Sequence, residues 1–233
     1  MRKGEEKRQE MLAVAERLFC VKGYDATSVQ DILDVLHVSK GGFYHHFASK
    51  EALLENLFAS RAEAAAAKAE EALSLLVDPM ARLNTVLRSF IPLRKEDRAF
   101  LAMLLPLLSR QEGRSMRLCY SEALESAFLP LMEREIDAGR DTEVLMPVTT
   151  GTAAMTLHLL SRCWYESAMY LLSCAQKNQE HQAAVLLGIL DQYRRAVEVL
   201  LDAPYGSVVL ADLQEWDGLA EVLLRRMMLP MQG

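Results

Sequence analysis

Residues 28–46, with the sequence SVQDILDVLHVSKGGFYHH, predict two short helices separated by a tight turn. Thr27 and Ser28 each offer a side-chain oxygen to the exposed amides of a helix start, and Gln30 or Asp31 can reach back to that start. Apolar residues then recur at three- and four-residue spacing, which gives a short helix one buried face: Val29, Ile32, Leu33 and Leu36.

A second short helix is predicted to begin after Ser39, which is another capping residue, and His37 and Val38 form the turn before it. Phe43 and Phe47 supply the apolar anchors of this helix. Its amino end presents small, polar or side-chain-free residues: Lys40, Gly41, Gly42, Tyr44 and His45. In a helix-turn-helix DNA reader, this end of the second helix enters the major groove. The segment therefore has the pattern of such a reader.

The two adjacent glycines in this second helix need an explanation, because each costs about 1 kcal/mol relative to alanine inside a helix. Without a Cβ, Gly41 and Gly42 would let the backbone approach DNA bases, with Lys40 free to reach a guanine or a phosphate. Alternatively, they let the helix pack tightly on its neighbour. The hydroxyl, imidazole and ammonium groups around them are phosphate-binding types, which favours the DNA interpretation.

Residues 10–58 resemble the DNA-binding domain of the TetR family of bacterial transcriptional regulators. The matching string is AERLFCVKGYDATSVQDILDVLHVSKGGFYHHFASKEALLENLF, which includes the glycine-aromatic turn at Gly23 and Tyr24. The resemblance implies phosphate contacts at the start of the first short helix and base contacts at the start of the second: Ser28 and Gln30, then Lys40, Gly41 and Gly42. It also implies contacts to the DNA backbone, and to bases for some, from Tyr44, His45, His46 and Lys50.

The charge of the chain is an awkward feature for a DNA-binding protein, since the formal net charge is −6. Residues 1–50 hold eight Lys or Arg and seven Asp or Glu, so the rest of the chain carries −7. DNA binding is therefore expected to depend on a local basic cluster rather than on a basic molecule: Arg2, Lys3, Lys7, Arg8, Lys40 and Lys50.

Other classes of protein find little support in the sequence. The longest apolar run, 99–108, is too short to span a membrane and contains Pro106. The charged first ten residues have no signal-peptide pattern, so we expect a cytoplasmic protein without a membrane partner. GxSxG, HExxH and phosphate-binding glycine motifs are absent from the sequence, so no enzyme is predicted.

The cysteines lack metal-ligand spacing, so we expect no metal or cofactor: Cys20, Cys119, Cys163 and Cys174. They are predicted to be reduced and mostly buried, with a redox switch as the alternative.

Beyond residue 50 the sequence predicts helix throughout, because no run of alternating β-branched residues indicates a sheet. One long helix, alanine-rich after residue 58, is predicted over 49–76 and Asp78 with Pro79 is predicted to start the next. Further helices are predicted over 95–110, 115–138, 148–176, 180–202 and 207–229. The fold class is therefore all-α. An N-terminal three-helix helix-turn-helix domain (1–50) is joined by the long helix to a larger C-terminal helical domain for ligand binding and dimerisation (51–233).

The resemblance implies a homodimer formed through helices 148–176 and 180–202, which would read a pseudo-palindromic operator in double-stranded DNA. On the second of these helices the residues of one side are Val185, Ile189, Tyr193, Ala196 and Leu200. The alternative is that such faces only form intramolecular core.

The resemblance also implies a small-molecule pocket in the larger domain. Candidate lining residues come from its aromatic and methionine-rich middle: Phe100, Met103, Met116, Tyr120, Phe128, Met155, His158, Arg162, Trp164, Tyr165 and Met169. Such residues also make ordinary core, His158 can be a core histidine, and Arg162 can simply pair with Glu166. We predict a repressor that a small, largely apolar ligand releases from DNA. The alternatives are a DNA-binding regulator controlled by a partner protein and an interaction module for which DNA is secondary.

Overall fold

The computed structural model describes residues 3–92, 96–111, 113–147, 149–174 and 179–210. Within these ranges the chain forms nine helices and no strand, as the all-α prediction requires. The helices are α1 (Lys3–Lys22), α2 (Val29–Leu36), α3 (Lys40–His46), α4 (Lys50–Leu73), α5 (Pro79–Phe90), α6 (Arg98–Leu108), α7 (Arg114–Asp141), α8 (Thr152–Cys174) and α9 (Gln179–Leu201). None of them is long and apolar enough to cross a membrane.

The predicted caps of α2 and α3 are confirmed. The Ser28 hydroxyl accepts the Asp31 amide, and the Asp31 carboxylate accepts the Ser28 amide in return, which completes a capping box. Thr27 is fully buried and instead donates its hydroxyl to the Gly23 carbonyl at 2.7 Å. His37 ends α2 in the left-handed conformation with φ at 53°. These local signals fix the turn between the two short helices.

The N-terminal bundle, α1 to α3, closes around aromatic and aliphatic residues that are at most 2% exposed. They are Met11, Phe19, Ile32, Phe43 and Phe47. The first half of α4 continues this core with Leu53, Leu54, Leu57 and Phe58. The alanine-rich half of α4 then buries small side chains at Ala62, Ala66 and Ala69, and α4 packs against α5 and α7. One helix thus joins the core of the N-terminal bundle to that of the larger C-terminal part.

A buried carboxylate holds the far end of α4. Glu135 of α7 is 1% exposed and accepts two hydrogen bonds from Arg82 of α5, at 2.7 and 2.8 Å. Arg82 also donates to the carbonyls of Leu73 and Leu76, which follow from the end of α4. Capping by this guanidinium explains why α4 ends at Leu73 rather than at the predicted residue 76.

The predicted helix over 207–229 is wrong at its start. Residues 207–210 lie in a non-helical segment after α9. Asn84 of α5 donates to the Ser207 carbonyl and accepts the Val209 amide, both at 2.8 Å. The carboxylate of Glu198, which is 4% exposed, accepts the amides of Gly206 and Val208. These side chains take the backbone groups that a helix start would use. The remainder of that prediction lies outside the described residues.

The cysteines follow the sequence prediction in part. Cys163 is buried, whereas Cys20 and Cys119 are half-buried, and the Cys174 side chain lies outside the description. Desolvation raises the pKa of Cys163 to about 12 and also raises the pKa of Cys119. The Cys119 and Cys163 thiols are therefore held in the protonated, weakly nucleophilic form.

We expect Gly139→Ala to destabilise the protein by about 1 to 3 kcal/mol through overpacking. A Cβ at Gly139, on α7, would lie 2.5 Å from Cδ1 and 2.7 Å from Cγ of Leu145. Urea unfolding followed by circular dichroism measures this loss. Combining the change with Leu145→Ala should remove the clash. The double variant should therefore lose less unfolding free energy than the two single variants lose together, and an additive loss would contradict this packing.

Candidate nucleic-acid interface

Helix α3 presents a polar, side-chain-poor surface to solvent. Its start is capped by Ser39, whose hydroxyl accepts the Gly42 amide at 3.1 Å. Phe43 is fully buried and points the opposite side of the helix into the core. Four of the six predicted contact residues on this helix are exposed, and two are half-buried: Lys40, Gly41, Tyr44 and His45, then Gly42 and His46. The burial of Phe43 therefore fixes which side of α3 faces outward.

The glycines of α3 are not required by packing inside the protein. A Cβ at Gly41 would meet nothing within 4 Å. At Gly42 its nearest neighbour would be the Ser39 hydroxyl, at an ordinary contact distance of 3.4 Å. Among the described residues, the packing explanation for the two glycines is therefore wrong. Glycine destabilises a helix, so the presence of Gly41 and Gly42 needs another physical reason. The remaining reason is that they keep this surface of α3 free of Cβ atoms.

The start of α2 lies beside this surface and carries the other predicted phosphate contacts. Ser28 and Gln30 are both exposed. Asp31 is held by the Lys22 ammonium at 2.5 Å and by the Ser28 hydroxyl at 2.6 Å, and these contacts keep its pKa well below the usual range. Sequence reasoning missed Lys22, since nothing in the local pattern links the end of α1 to α2. Lys22 fixes the start of α2 relative to α1.

Lys50 has an intramolecular role that the sequence did not predict. Its ammonium donates to the carbonyls of Tyr24 and Thr27, both at 3.0 Å, and lies 4.3 Å from the centre of the Tyr24 ring. Glu51 accepts from the Tyr24 hydroxyl at 3.3 Å. The first turn of α4 thus holds the turn between α1 and α2 through hydrogen bonds.

The predicted basic cluster is largely used within the protein. Lys7 pairs with Glu10 at 2.7 Å, and Arg8 donates to Asn56 and lies near the Phe47 ring. Arg2 and the Lys3 side chain lie outside the described residues. Lys40 is exposed and makes no ion pair within the described part of the chain. The positive charge available at this surface is therefore concentrated at Lys40.

The predicted ligand-binding residues do not converge on one cavity. Phe100, Tyr120 and Trp164 pack together with Phe58, with ring centres 5.0 to 6.2 Å apart. Phe128 lies elsewhere, against Phe90. Met103 is buried, whereas three further candidates are half-buried: Met116, Tyr165 and Met169. The buried aromatic residues form a filled cluster.

Three candidates from α8 lie on its outer side. Met155 is 53% exposed and the His158 side chain is 71% exposed, so the interpretation of His158 as a core histidine is wrong. The predicted pair of Arg162 with Glu166 is confirmed at 2.7 Å. Spacings of three and four residues place these side chains on one face of the helix, away from the core. Helical periodicity alone did not show which face is buried.

Two surface depressions lie away from the predicted pocket. A cleft of 430 Å³ lies between α1 and α4 and is also lined by Glu96 and Asp97. A smaller one of 190 Å³ lies between α9 and residues 208–210. Neither is lined by any of the eleven predicted ligand residues. Arg61, which lines the larger cleft, binds both Glu16 and Asp97.

The outer face of helix α9 carries apolar and small residues among exposed polar ones, which are Asp191, Gln192 and Arg195. Leu187 and Val199 are 49% and 79% exposed, and the small residues Gly188 and Ala196 are exposed between them. On the predicted side, Ala196 is exposed and the others are half-buried: Val185, Ile189, Tyr193 and Leu200. Helix α9 packs on α8, so the two helices offer an outer surface with small and apolar side chains.

Residues 11–57 match the model of bacterial regulatory proteins of the tetR family. Residues 11–57 are thus similar to the helix-turn-helix domain of this family. The chain is 49% identical over 49 residues to the uncharacterised helix-turn-helix regulator YerO of Bacillus subtilis, covering 21% of this chain and 17% of that protein. Over 78 residues it is 34% identical to the repressor KstR2 of Mycobacterium tuberculosis, covering 34% of this chain and 39% of the repressor. The chain thus matches less than half the length of these curated relatives.

The TetR-like fold extends beyond the matched segment. The fold is similar to that of a TetR-family regulator from Pectobacterium atrosepticum, with a TM-score of 0.56, 21% identity and coverage of 88% of this chain and 99% of that one. It is also similar to the regulator FadR of Bacillus subtilis, solved with stearoyl-CoA, with a TM-score of 0.55, 18% identity and coverage of 84% and 99%. At these identities the likeness shows the fold alone, an N-terminal helix-turn-helix followed by a helical C-terminal domain.

Proposed function

We propose that this protein is a cytoplasmic transcriptional regulator that binds a pseudo-palindromic DNA operator as a homodimer. The observation that carries the proposal is the outer surface of α3, where Gly41 and Gly42 lack a packing role and Lys40 lacks an intramolecular partner among the described residues. A backbone free of Cβ atoms next to an available ammonium suits close approach to base edges in the major groove.

The proposed contacts divide into two kinds. Lys40, Gly41 and Gly42 face bases, whereas the residues around them bind backbone phosphates and set the register of the protein on DNA. These phosphate contacts come from the exposed start of α2 and from the remainder of α3: Ser28, Gln30, Tyr44, His45 and His46. Removing a phosphate contact should weaken binding to all sequences, whereas changing a base contact should alter sequence preference.

The homodimer is proposed to form through α8 and α9. The exposed apolar and small residues of α9 support this, since Leu187 and Val199 would be removed from water and Gly188 would allow close approach of a second helix. A homodimer related by a two-fold axis places its two recognition helices on equivalent half-sites, and this symmetry is the reason for a pseudo-palindromic operator.

We propose further that the C-terminal domain binds a small, largely apolar ligand that releases the protein from DNA. The supporting feature is the aromatic cluster of Phe58, Phe100, Tyr120 and Trp164, which joins α4, α6, α7 and α8. Burial raises the pKa of Tyr120, so its hydroxyl stays neutral in this apolar setting. Because this cluster is filled, a ligand there must move aromatic side chains. Control by a partner protein instead of a ligand is the alternative.

Selection of bound fragments from a random duplex pool tests the proposed function. The purified protein should enrich a pseudo-palindrome at near-physiological salt, and two chains should bind each selected duplex. Recovery of fragments without a consensus sequence would contradict the proposed dimeric reader. Binding of one chain to a site without two half-sites would contradict it as well. Adding candidate apolar compounds to the selected complex then tests release.

Lys50 is expected to support the DNA-binding surface without touching phosphate. We expect Lys50→Met to lower stability by about 1.5 to 3 kcal/mol, because charged hydrogen bonds to the Tyr24 and Thr27 carbonyls are lost. The slope of log K against log salt should stay unchanged. Each lost phosphate contact would reduce that slope by about 0.9, so such a reduction would show that Lys50 leaves its carbonyls to bind DNA.

A further inference from the structure

Arg61 lies where three helices from both parts of the molecule meet. From α4, its guanidinium binds Glu16 of α1 with one nitrogen and Asp97 at the start of α6 with another. It also lies 4.3 Å from the centre of the Phe100 ring on α6. One side chain of the joining helix therefore contacts both the N-terminal bundle and the aromatic cluster of the C-terminal part.

The contacts of Arg61 are partly shielded from water. The side chains of Arg61 and Asp97 are 19% and 13% exposed, and that of Glu16 is 30% exposed. Asp97 occupies the N-cap position of α6 but makes no side-chain cap hydrogen bond there. Its carboxylate is directed to Arg61 instead. Charge-assisted hydrogen bonds in such a setting are stronger and more directional than those of exposed pairs.

A second ion pair joins the other end of α6 to the N-terminal bundle. Arg110, just after α6, lies 2.7 Å from Asp25 in the turn between α1 and α2. Both side chains are more than half exposed, so this pair is expected to contribute little by itself. Between the two pairs, α6 buries eight of its eleven residues. Helix α6 is therefore held firmly by the core. Of the two links between α6 and the N-terminal bundle, the one through Arg61 is the stronger.

The orientation of the bundle matters because a dimer reads two half-sites at a fixed separation. Helix α1 packs directly on both α2 and α6. A rotation of α1 over α6 would therefore carry α2 and α3 with it and change the distance between the two recognition helices. Half-sites lie about 34 to 36 Å apart, and a displacement of a few ångströms loses contacts at one of them.

We propose that Arg61 is a positioning residue that holds the N-terminal bundle at a fixed angle on α6 and so sets the operator spacing that the dimer accepts. The proposal rests on the proposed dimeric function. Arg61 does not touch DNA in this scheme. Its effect passes through Glu16 to α1, and through α1 to the recognition helix α3.

The test uses the selected operator with its central spacer lengthened or shortened by one and two base pairs. Wild-type protein should prefer the original spacer by about tenfold or more, which corresponds to the loss of one good base contact. Arg61→Met keeps an apolar side chain over Phe100 but breaks both ion pairs. This variant should bind all spacers within about threefold of one another, while the salt slope stays as in the wild type because no phosphate contact is lost.

Two further variants separate positioning from folding. Glu16→Met removes only the contact of Arg61 to α1 and should also flatten the spacer dependence, so it tests the positioning role if Arg61→Met does not fold. Lys68→Met is the matched control, since Lys68 is on α4 and pairs with Glu96 at 3.1 Å without contacting α1 in that pair. This control should keep the wild-type preference.

The two proposals fail in different ways. If wild-type protein binds every spacer equally, the dimeric reading of two half-sites is wrong, and the role of Arg61 is lost with it. If the wild type has a preferred spacer and both Arg61→Met and Glu16→Met keep that preference, the positioning role is overturned while the proposed function stands.

Discussion

Arg82→Met is expected to lower the free energy of unfolding by about 3 kcal/mol, the largest stability effect that we predict for one side chain. The substitution leaves Glu135, which is 1% exposed, without its two hydrogen bonds from Arg82. It also leaves the carbonyls of Leu73 and Leu76 without the guanidinium that caps them. Urea unfolding at neutral pH measures the loss.

The double variant Arg82→Met with Glu135→Leu should recover much of this stability, because it removes the buried charge as well as its partner. Arg134→Met is the matched control. Arg134 also contacts Glu135, at 3.0 Å, but its side chain is 47% exposed and its other partner, Glu70, is 52% exposed. We expect this control to cost less than about 1 kcal/mol. Equal losses in Arg82→Met and Arg134→Met would contradict the assigned role of Arg82.

The same carboxylate makes stability depend on pH in a defined direction. Burial alone would raise the pKa of Glu135, but hydrogen bonds from Arg82 and Arg134 outweigh burial and lower it below its usual 4.5. A carboxyl whose pKa is lower in the folded state stabilises the protein above the unfolded pKa. This contribution is lost as pH falls from about 4.5 through the lower folded pKa.

Gly41→Ala is expected to have opposite effects on stability and on DNA binding. Stability should rise by as much as about 1 kcal/mol, because alanine favours a helix over glycine and its Cβ meets nothing within 4 Å. Affinity for the selected operator should fall by about tenfold to a hundredfold, since the new methyl group separates the helix backbone from the bases. Thermal unfolding and fluorescence anisotropy on the same preparation measure the two effects.

Gly4→Ala provides the control for this change. Gly4 is also an exposed glycine within a helix, α1, and a Cβ there would meet nothing within 4 Å. It should leave operator affinity unchanged. If Gly41→Ala stabilises the protein and binds the operator as tightly as the wild type, then close approach of the α3 backbone to DNA is wrong.

The parts of the fold that the sequence predicts well are those fixed by neighbours in the chain. Ser28, Ser39, Ser49 and Asp78 each accept a backbone amide three residues further along. Such caps can be read directly from sequence spacing. The segment after α9 is different, because Asn84 holds Ser207 and Val209 from more than 120 residues away. No local pattern indicates that pairing, which is why a helix start was wrongly predicted there.

In the candidate nucleic-acid interface, too, features fixed by nearby residues were predictable and those fixed by distant residues were not. The outward face of α3 was predictable, since Phe43 and Phe47 fix the inward one. The binding of Lys50 to carbonyls near Tyr24 depends on how α4 meets an earlier turn. The Arg61 contacts likewise join residues 36 and 45 positions apart. Helical spacing groups Met155 with His158, but only packing shows that this face of α8 is exposed.

Reading of DNA by α3 is tested most directly by a salt titration of the wild type and of Lys40→Ala on the selected operator and on a scrambled duplex. We expect Lys40→Ala to lower operator affinity by about 1 to 3 kcal/mol and to reduce the preference for the operator over the scrambled duplex. Unchanged affinity and preference in Lys40→Ala would contradict reading of DNA by α3.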